Sequence, residues 1–355
     1  MANILILGGG FGALSAAESL LKNLTSEHQI TLLSRSPRFV FHPHLVDLAF
    51  GNHTLDDISF DLRDAMHKRR IKFVQGEVAR VDPHERRVTF GHARITGSVN
   101  YDYLIFALGG RLATERIPGF FEHAHHPLTL EAALKFGEAV QRFDKGRAVI
   151  GYSQGARVVT PVYKTVFAFC RLFEDQLRAG RTQITVVRPT RDDDELTGPE
   201  MGKVFQDALN EQKIEVLSDF SINRVTKKSL LTSVGDRIDY DLLMLLPALV
   251  GASAMRGMEI TDPDGFIRVN RNMRVDGAER LYAVGNSVSF PGPKMSYMAV
   301  SQGEVAGANL AAEVESREFQ AEYDHTTMLA LDQAGQDSIL SKHFWMNKVR
   351  VHKAT

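Results

Sequence analysis

Glycines at fixed spacing, one lysine before a helix, a histidine loop and a single cysteine are the residues of this 355-residue chain that could do chemistry. In "NILILGGGFGALSAAESLLKN", Gly8, Gly10 and Ala13 hold the three key places of a GxGxxG turn, with Phe11 and Gly12 between them. Gly8 permits the tight turn, Gly10 lets backbone approach a pyrophosphate, and small Ala13 lets the helix pack on the strand. The helix N-terminus then offers free N–H groups and a positive dipole end to phosphate. The apolar run Asn3 to Leu7 before it reads as a strand buried on both faces of a parallel sheet. Context therefore makes this a dinucleotide site rather than a plain turn.

The next strand, "QITLLS", ends at Ser34 and Arg35, where an acidic residue usually holds ribose hydroxyls. Ser34 can still hydrogen-bond a ribose. Arg35 either pairs a phosphate, which would suit NADPH, or is a solvated loop charge. Three later stretches favour FAD here. "KFVQGEVARVD", which contains Val78, reads as a strand pair crossing the adenine end. "YDYLIFALGG" ends a buried strand in Ala107, Leu108 and Gly109, small enough for backbone to approach a ligand. "LYAVGNSVSF" ends another in Gly285-Asn286.

A second βαβ pattern runs from "DKGRAVIGYSQGARVV" through a helix over 161–179 and the strand "QITVVR". Gly151 holds its first glycine place, but Ser153 takes the second, where a Cβ crowds the pyrophosphate. The strand ends in Arg188-Pro189 instead of Asp or Glu. That disfavours NAD and suits the extra phosphate of NADPH, unless Arg188 is a surface charge beside the acidic run 192–195. The expected fold is α/β, with two Rossmann-like domains, the second inserted in the first. Residues 1–125 and 251–315 form the FAD-binding domain, 126–250 the NAD(P)-binding-like domain, and 316–355 a small C-terminal region.

These segments, in this order and over nearly the whole chain, resemble the two-dinucleotide-fold flavoproteins: type II NADH dehydrogenases, sulfide:quinone oxidoreductases and flavocytochrome c sulfide dehydrogenases. The resemblance implies that the first glycine motif binds FAD. Where that group has "ATG" and "GD", this chain has "ALG" and Gly285-Asn286, so Asn286 would meet the ribityl chain without charge. "RFVFHPHL" resembles the aromatic-proline segment that covers the flavin in sulfide:quinone oxidoreductases, at Phe39, Phe41 and Pro43; it is read as a cover and not as a histidine metal site. "TPVYKTVFAF", "LLMLLPALVG" and "PKMSYMAVSQGEVAGANLA" also resemble that branch. Its redox cysteines, however, align near Leu128, Val158 and Leu329, none of them a nucleophile, and Cys170 sits at helical spacing among apolar residues. Thiol-based sulfide chemistry is therefore not expected.

What remains is direct flavin reduction, with NADPH favoured over NADH as donor and a quinone-like acceptor. By analogy, Lys294 and the N-terminus of the helix after Gly292-Pro293 would stabilise reduced flavin. Met295, Tyr297 and Met298 would line either a quinone site or the core. The loop "EHAHHP" offers His123, His125 and His126, without carboxylate or cysteine spacing for a metal; His125 or His126 would relay protons near the flavin. Rival readings are a flavin-binding protein without turnover, a thiol-free sulfide enzyme, and NADPH in the first site without flavin.

A net charge of −1 gives no footprint for nucleic acid. One cysteine excludes an intrachain disulfide. No signal peptide or membrane span is read, so a cytoplasmic location is expected. The tail, with Phe344, Trp345 and Met346 followed by Lys348, Arg350 and Lys353, reads as a short aromatic-basic helix suited to a peripheral membrane contact on the cytoplasmic face, or to a homodimer contact.

Overall fold

The computed structural model describes all residues except 94, 190–198, 320, 332–337, 344–347 and 354–355. The chain lays down β1 (Asn3–Leu7), α1 (Phe11–Asn23), β2 (Gln29–Ser34), the short α2 (Leu45–Ala49), β3 (Lys72–Gln75) and β4 (Tyr103–Phe106). It continues through α3 (Leu130–Arg142), β5 (Gly146–Tyr152), α4 (Thr160–Leu172), β6 (Thr182–Val187), β7 (Glu215–Leu217) and β8 (Leu242–Leu246). Then β9 (Leu281–Ala283) and α5 (Ser296–Val314) return to the first sheet.

That sheet has the order β9-β4-β1-β2-β3 and is parallel throughout. The central strand β1 is paired on both edges, so an apolar run serves it better than alternation. Ile4, Leu5, Ile6 and Leu7 are each at most 1% exposed, which stabilises the fold by about 1.5–3 kcal/mol per side chain. On one face, α1 and α5 press together along small residues. A Cβ on Gly303 would stand 2.6 Å from the Gly12 carbonyl oxygen, and one on Gly307 2.6 Å from that of Ala16. The hydroxyls of Ser15 and Ser19 cross the contact to the carbonyls of Val300 and Glu304, both at 2.7 Å.

The second sheet, β7-β6-β5-β8, is likewise parallel and belongs to the inserted βαβ pattern. The two chain crossings between the sheets pair with each other: Gly110–Leu112 runs antiparallel to Leu249–Gly251. Gly251 lies so close to Gly265 that a Cβ would meet its carbonyl oxygen at 1.7 Å. The α/β architecture with two nucleotide folds, one inserted in the other, is thus as the glycine turns and strand runs predict.

Three local expectations need correction. The stretch "KFVQGEVARVD" is not a strand pair. Its first half is β3, whereas Glu77–Asp82 leaves for a separate antiparallel sheet with Arg87–His92 and Ile95–Asn100. The helix expected over 161–179 breaks at Phe173 into α4 and the short helix Glu174–Arg178. The tail is not helical: Thr326–Leu331, Ser338–His343 and Lys348–Lys353 form an antiparallel meander, while Phe344, Trp345 and Met346 lie outside the described residues.

Candidate functional site

Because all five strands of the first sheet run the same way, their carboxyl ends share one edge, where ligands of open α/β sheets bind. The turns after β1, β4 and β9 meet there. Gly8 has φ +115°, and a Cβ on it would stand 2.1 Å from the Ala107 carbonyl oxygen, so this turn admits glycine alone. Its N–H bonds to the Leu33 carbonyl at 2.7 Å. Gly10 differs: nothing lies within 4 Å of a Cβ placed on it. Gly10 also caps α1 without any side-chain bond, which leaves the N–H groups around Phe11, Gly12 and Ala13 aimed into open space. These features fit a diphosphate.

The other expected residues distribute around that turn. The Gly12 Cβ position faces Val284 and Ala299, and that of Gly9 faces Ser34 Oγ. The Ser34 hydroxyl meanwhile donates to the Ser36 carbonyl. Leu108 packs on the core, and Gly109, at φ +70°, has open space beside it and donates to Ser287 Oγ at 2.9 Å. Val78 packs on the core from its separate sheet. Arg35 is 79% exposed and faces Glu77 at 3.6 Å, the solvated reading of its charge.

Phe39 and Phe41 set their ring edges against Phe11 at centroid distances of 5.1 and 5.3 Å. The segment before Pro43 thus packs on the first residue of α1, beside the glycine turn. It is fixed there. A Cβ on Gly137 of α3 would stand 2.7 Å from the Ala49 carbonyl oxygen, and Lys164 of α4 reaches Asp47 at 2.5 Å and the Pro43 carbonyl at 3.0 Å.

Lys294 sits two residues before α5, whose cap residue Met295 makes no side-chain bond. Its ammonium is 7% exposed, donates to the Val288 carbonyl and lies 4.8 Å from the Phe266 ring centroid. Burial, then the charge of Arg157, pushes its pKa down to about 7. A small cavity of about 10 Å³, the space of a single water, lies there, walled by Asn286, Phe290, Lys294, Met298, Gln302 and His325. Met295 lines it as well, and Tyr297 instead hydrogen-bonds the Thr326 carbonyl.

Gln302 and His325 escape sequence reasoning. Gln302 accepts from the Gly285 N–H at 2.7 Å and bonds to Tyr323. His325 Nε2 meets the Pro291 carbonyl at 2.7 Å, which fixes the proton on that nitrogen, so Nδ1 accepts from the Tyr323 hydroxyl at 3.1 Å. Neither residue belongs to a motif; a polar residue on the small-residue face of "SQGEVAGANLA" was the only local signal for Gln302.

The second nucleotide fold is tighter. A Cβ on Gly151 would stand 2.1 Å from the Val187 carbonyl oxygen. Ser153 is 2% exposed, and its hydroxyl has no partner among the described residues. Its side chain is therefore covered by protein instead of crowding an open phosphate site. Arg188 is not a surface charge. It is 7% exposed, with Nε on Ser218 Oγ at 2.8 Å and Nη2 on Gln206 Oε1 at 3.0 Å. The acidic run 192–195 lies outside the described residues.

Histidines 125 and 126 do not wall the cavity by α5. His125 continues the second sheet beside β8, bonding Leu243 and Leu245, and its ring faces Phe136. His126 lies near Phe120, and burial holds its pKa down to about 4. Burial pushes the Cys170 thiol up to about 11, so at neutral pH it is a thiol and not a nucleophilic thiolate. No helix among the described residues is long and apolar enough to cross a membrane.

Residues 2–303 match the family described as pyridine nucleotide-disulphide oxidoreductase. The chain is 24% identical over 309 residues to the sulfide-quinone reductase of Aquifex aeolicus, across 81% of this chain and 69% of that protein. It is 20% identical over 339 residues to the type II NADH:quinone oxidoreductase of Staphylococcus haemolyticus, across 85% and 80%. The crystal structure of the sulfide:quinone oxidoreductase from Aquifex aeolicus superposes with a TM-score of 0.90 at 20% identity, covering 100% of this chain and 87% of that one. With a single cysteine in its sequence, this chain forms no intrachain disulfide. On the extent of the match and the two nucleotide folds, the chain belongs to the pyridine nucleotide-disulphide oxidoreductase family, as a flavin-dependent oxidoreductase.

Proposed function

We propose that this chain binds FAD at the first glycine turn and passes two electrons from a reduced nicotinamide nucleotide, NADPH in preference to NADH, to a quinone-like acceptor, without protein thiols. One observation carries the reading. The open Gly10 turn, Gly285-Asn286, the uncapped start of α5 and buried Lys294 converge on one edge of the first sheet. Quinone enters from the names of the relatives, and the donor from the buried arginine at the carboxyl end of β6, where an acidic residue would have favoured NADH.

When bound, FAD supplies a two-electron carrier. The chain's own residues hold and polarise it. N–H groups at the start of α1 take the diphosphate, and Ser34 the adenosine ribose. Asn286 would accept from a ribityl hydroxyl through its amide oxygen. Lys294 and the α5 N-terminus would supply positive potential at the flavin's pyrimidine end. Phe39 and Phe41 exclude water from above the turn.

A second reading is favoured by Ser153. Its coverage by protein closes the glycine turn where a nicotinamide nucleotide would lay its diphosphate, so a donor of another kind would reduce the flavin directly. Anaerobic titration of the purified protein, following flavin absorbance, separates the two. Bleaching by NADPH, weaker bleaching by NADH and reoxidation by a quinone analogue are expected. Bleaching by sulfide alone would sink the thiol-free nicotinamide reading. A bound flavin that none of these donors reduces would favour the flavoprotein without turnover, and a colourless protein would favour NADPH in the first site.

A further inference from the structure

The cover beside the glycine turn holds a feature that electron transfer does not use. His44, Asp47 and His53 each offer a ligand-type atom, all within 4.8 Å of one another, and all three residues are half-buried. Two local turns build the cluster. The helical turn His42–His44 runs into α2, which places His44 and Asp47 on one face with Nδ1 and Oδ2 at 2.7 Å. The turn after α2 then brings His53 back, its ring 4.4 Å from that of His44. Among the described residues this is the group of histidine, cysteine or carboxylate side chains that meets the spacing of a metal site.

We propose that His44, Asp47 and His53 form a binding site for a divalent transition-metal ion of the Zn²⁺ type. Two imidazoles and a carboxylate are a donor set that borderline-soft ions prefer over Mg²⁺ or Ca²⁺, and three protein ligands leave one tetrahedral position for water. Bond lengths near 2.0–2.1 Å put neighbouring donors about 3.3 Å apart around a tetrahedral ion. To reach that spacing the His44–Asp47 pair opens from 2.7 Å and His53 moves in from within 4.8 Å.

A cation already stands at its edge. Lys164 holds its ammonium 2.5 Å from Asp47 Oδ2 and 3.0 Å from the Pro43 carbonyl. The pocket is therefore arranged around positive charge, and the ion and the ammonium compete for one carboxylate. The Lys164 side chain is 36% exposed and can swing into solvent when displaced. Metal binding then exchanges the link from the cover to α4 for a link within the cover itself. Phe41 reports that exchange, because its ring lies 5.0 Å from His44 and 5.3 Å from Phe11.

The test uses the full chain, stripped with a chelator, equilibrated with Zn²⁺ or Co²⁺ and desalted. About one equivalent should remain, with a Co²⁺ absorption band of tetrahedral intensity. His53→Ala and Asp47→Asn should each weaken binding by about 10- to 100-fold or more. Lys164→Met should tighten it by up to about fivefold, since it removes the competing cation from a partly exposed pair. The exposed His67→Ala serves as a control that retains the metal. No retained ion in the native chain overturns the proposal. So does retention that survives both His53→Ala and Asp47→Asn, which would place the ion elsewhere, for instance at the histidine loop 123–126.

Discussion

Burial strips water from the Lys294 ammonium, and the Val288 carbonyl returns only part of that solvation. The folded pKa is pushed down from 10.5 to about 7. Between those values the unfolded chain binds more protons than the folded one, so stability rises with pH across that window. Below about pH 7 both states are protonated and the cost of the buried charge is fully present. Lys294→Met should remove this rise, read as denaturation midpoints that no longer climb between pH 7 and 10. An anionic ligand at the cavity would hold the proton on Lys294, so the native protein should bind such a ligand more tightly as pH falls through neutrality. Cys170 makes the opposite case. A thiol pushed up to about 11 takes no part in electron transfer; Cys170→Ala should cost about 1 kcal/mol of stability and leave the rate of flavin bleaching unchanged. Lys294 was singled out in the sequence only through the resemblance, as the residue between Pro293 and a helix pattern. His325 was not, because what gives it meaning is the Pro291 carbonyl, contributed by a distant turn.

The glycines of α1 and α5 show how one residue type serves two purposes in neighbouring elements. Gly303 exists for packing: its Cβ would strike Gly12 and Ser15. Gly303→Leu should destabilise the fold by about 3 kcal/mol or more through overpacking, seen as a lowered urea midpoint. Gly10 has no such packing reason: its φ of −91° suits any residue, and its Cβ meets nothing, as the proposed approach of a diphosphate requires. Gly10→Ala should keep the native midpoint but lose FAD, with affinity falling about tenfold or more, measured by flavin retention on gel filtration. Elements with a strong local period were readable from sequence. The runs NILIL, QITLLS and LLMLL became strands β1, β2 and β8, and the glycine turn opened α1. The tail was misread because aromatic and basic composition was taken for a helix. The alternation in "KVRVHK" suits the strand Lys348–Lys353, which pairs antiparallel with Ser338–His343. Segment Glu77–Asp82 was misread because its partner strand, Arg87–His92, belongs to a separate antiparallel sheet.

On the scale of the whole molecule, the insertion makes the first sheet discontinuous. Strand β9 pairs with β4 through Leu281 and Leu104, and α5 closes over α1 later still. On the ribosome, therefore, β1, β2 and β4 emerge with one sheet edge unpaired and the small-residue face of α1 uncovered, and they must wait for the entire inserted nucleotide fold. At about 5–20 residues per second that wait is roughly ten to thirty-five seconds, long compared with hairpin or helix formation. During it the buried strand Tyr103–Phe106 offers a bare apolar edge to other nascent chains. The inserted sheet, whose four strands all lie within residues 146–246 with no strand of the first sheet between them, can form during that interval. Synthesis from a template that stops before Leu281 should leave residues 1–106 protease-sensitive and aggregating, while residues 146–246 already resist cleavage.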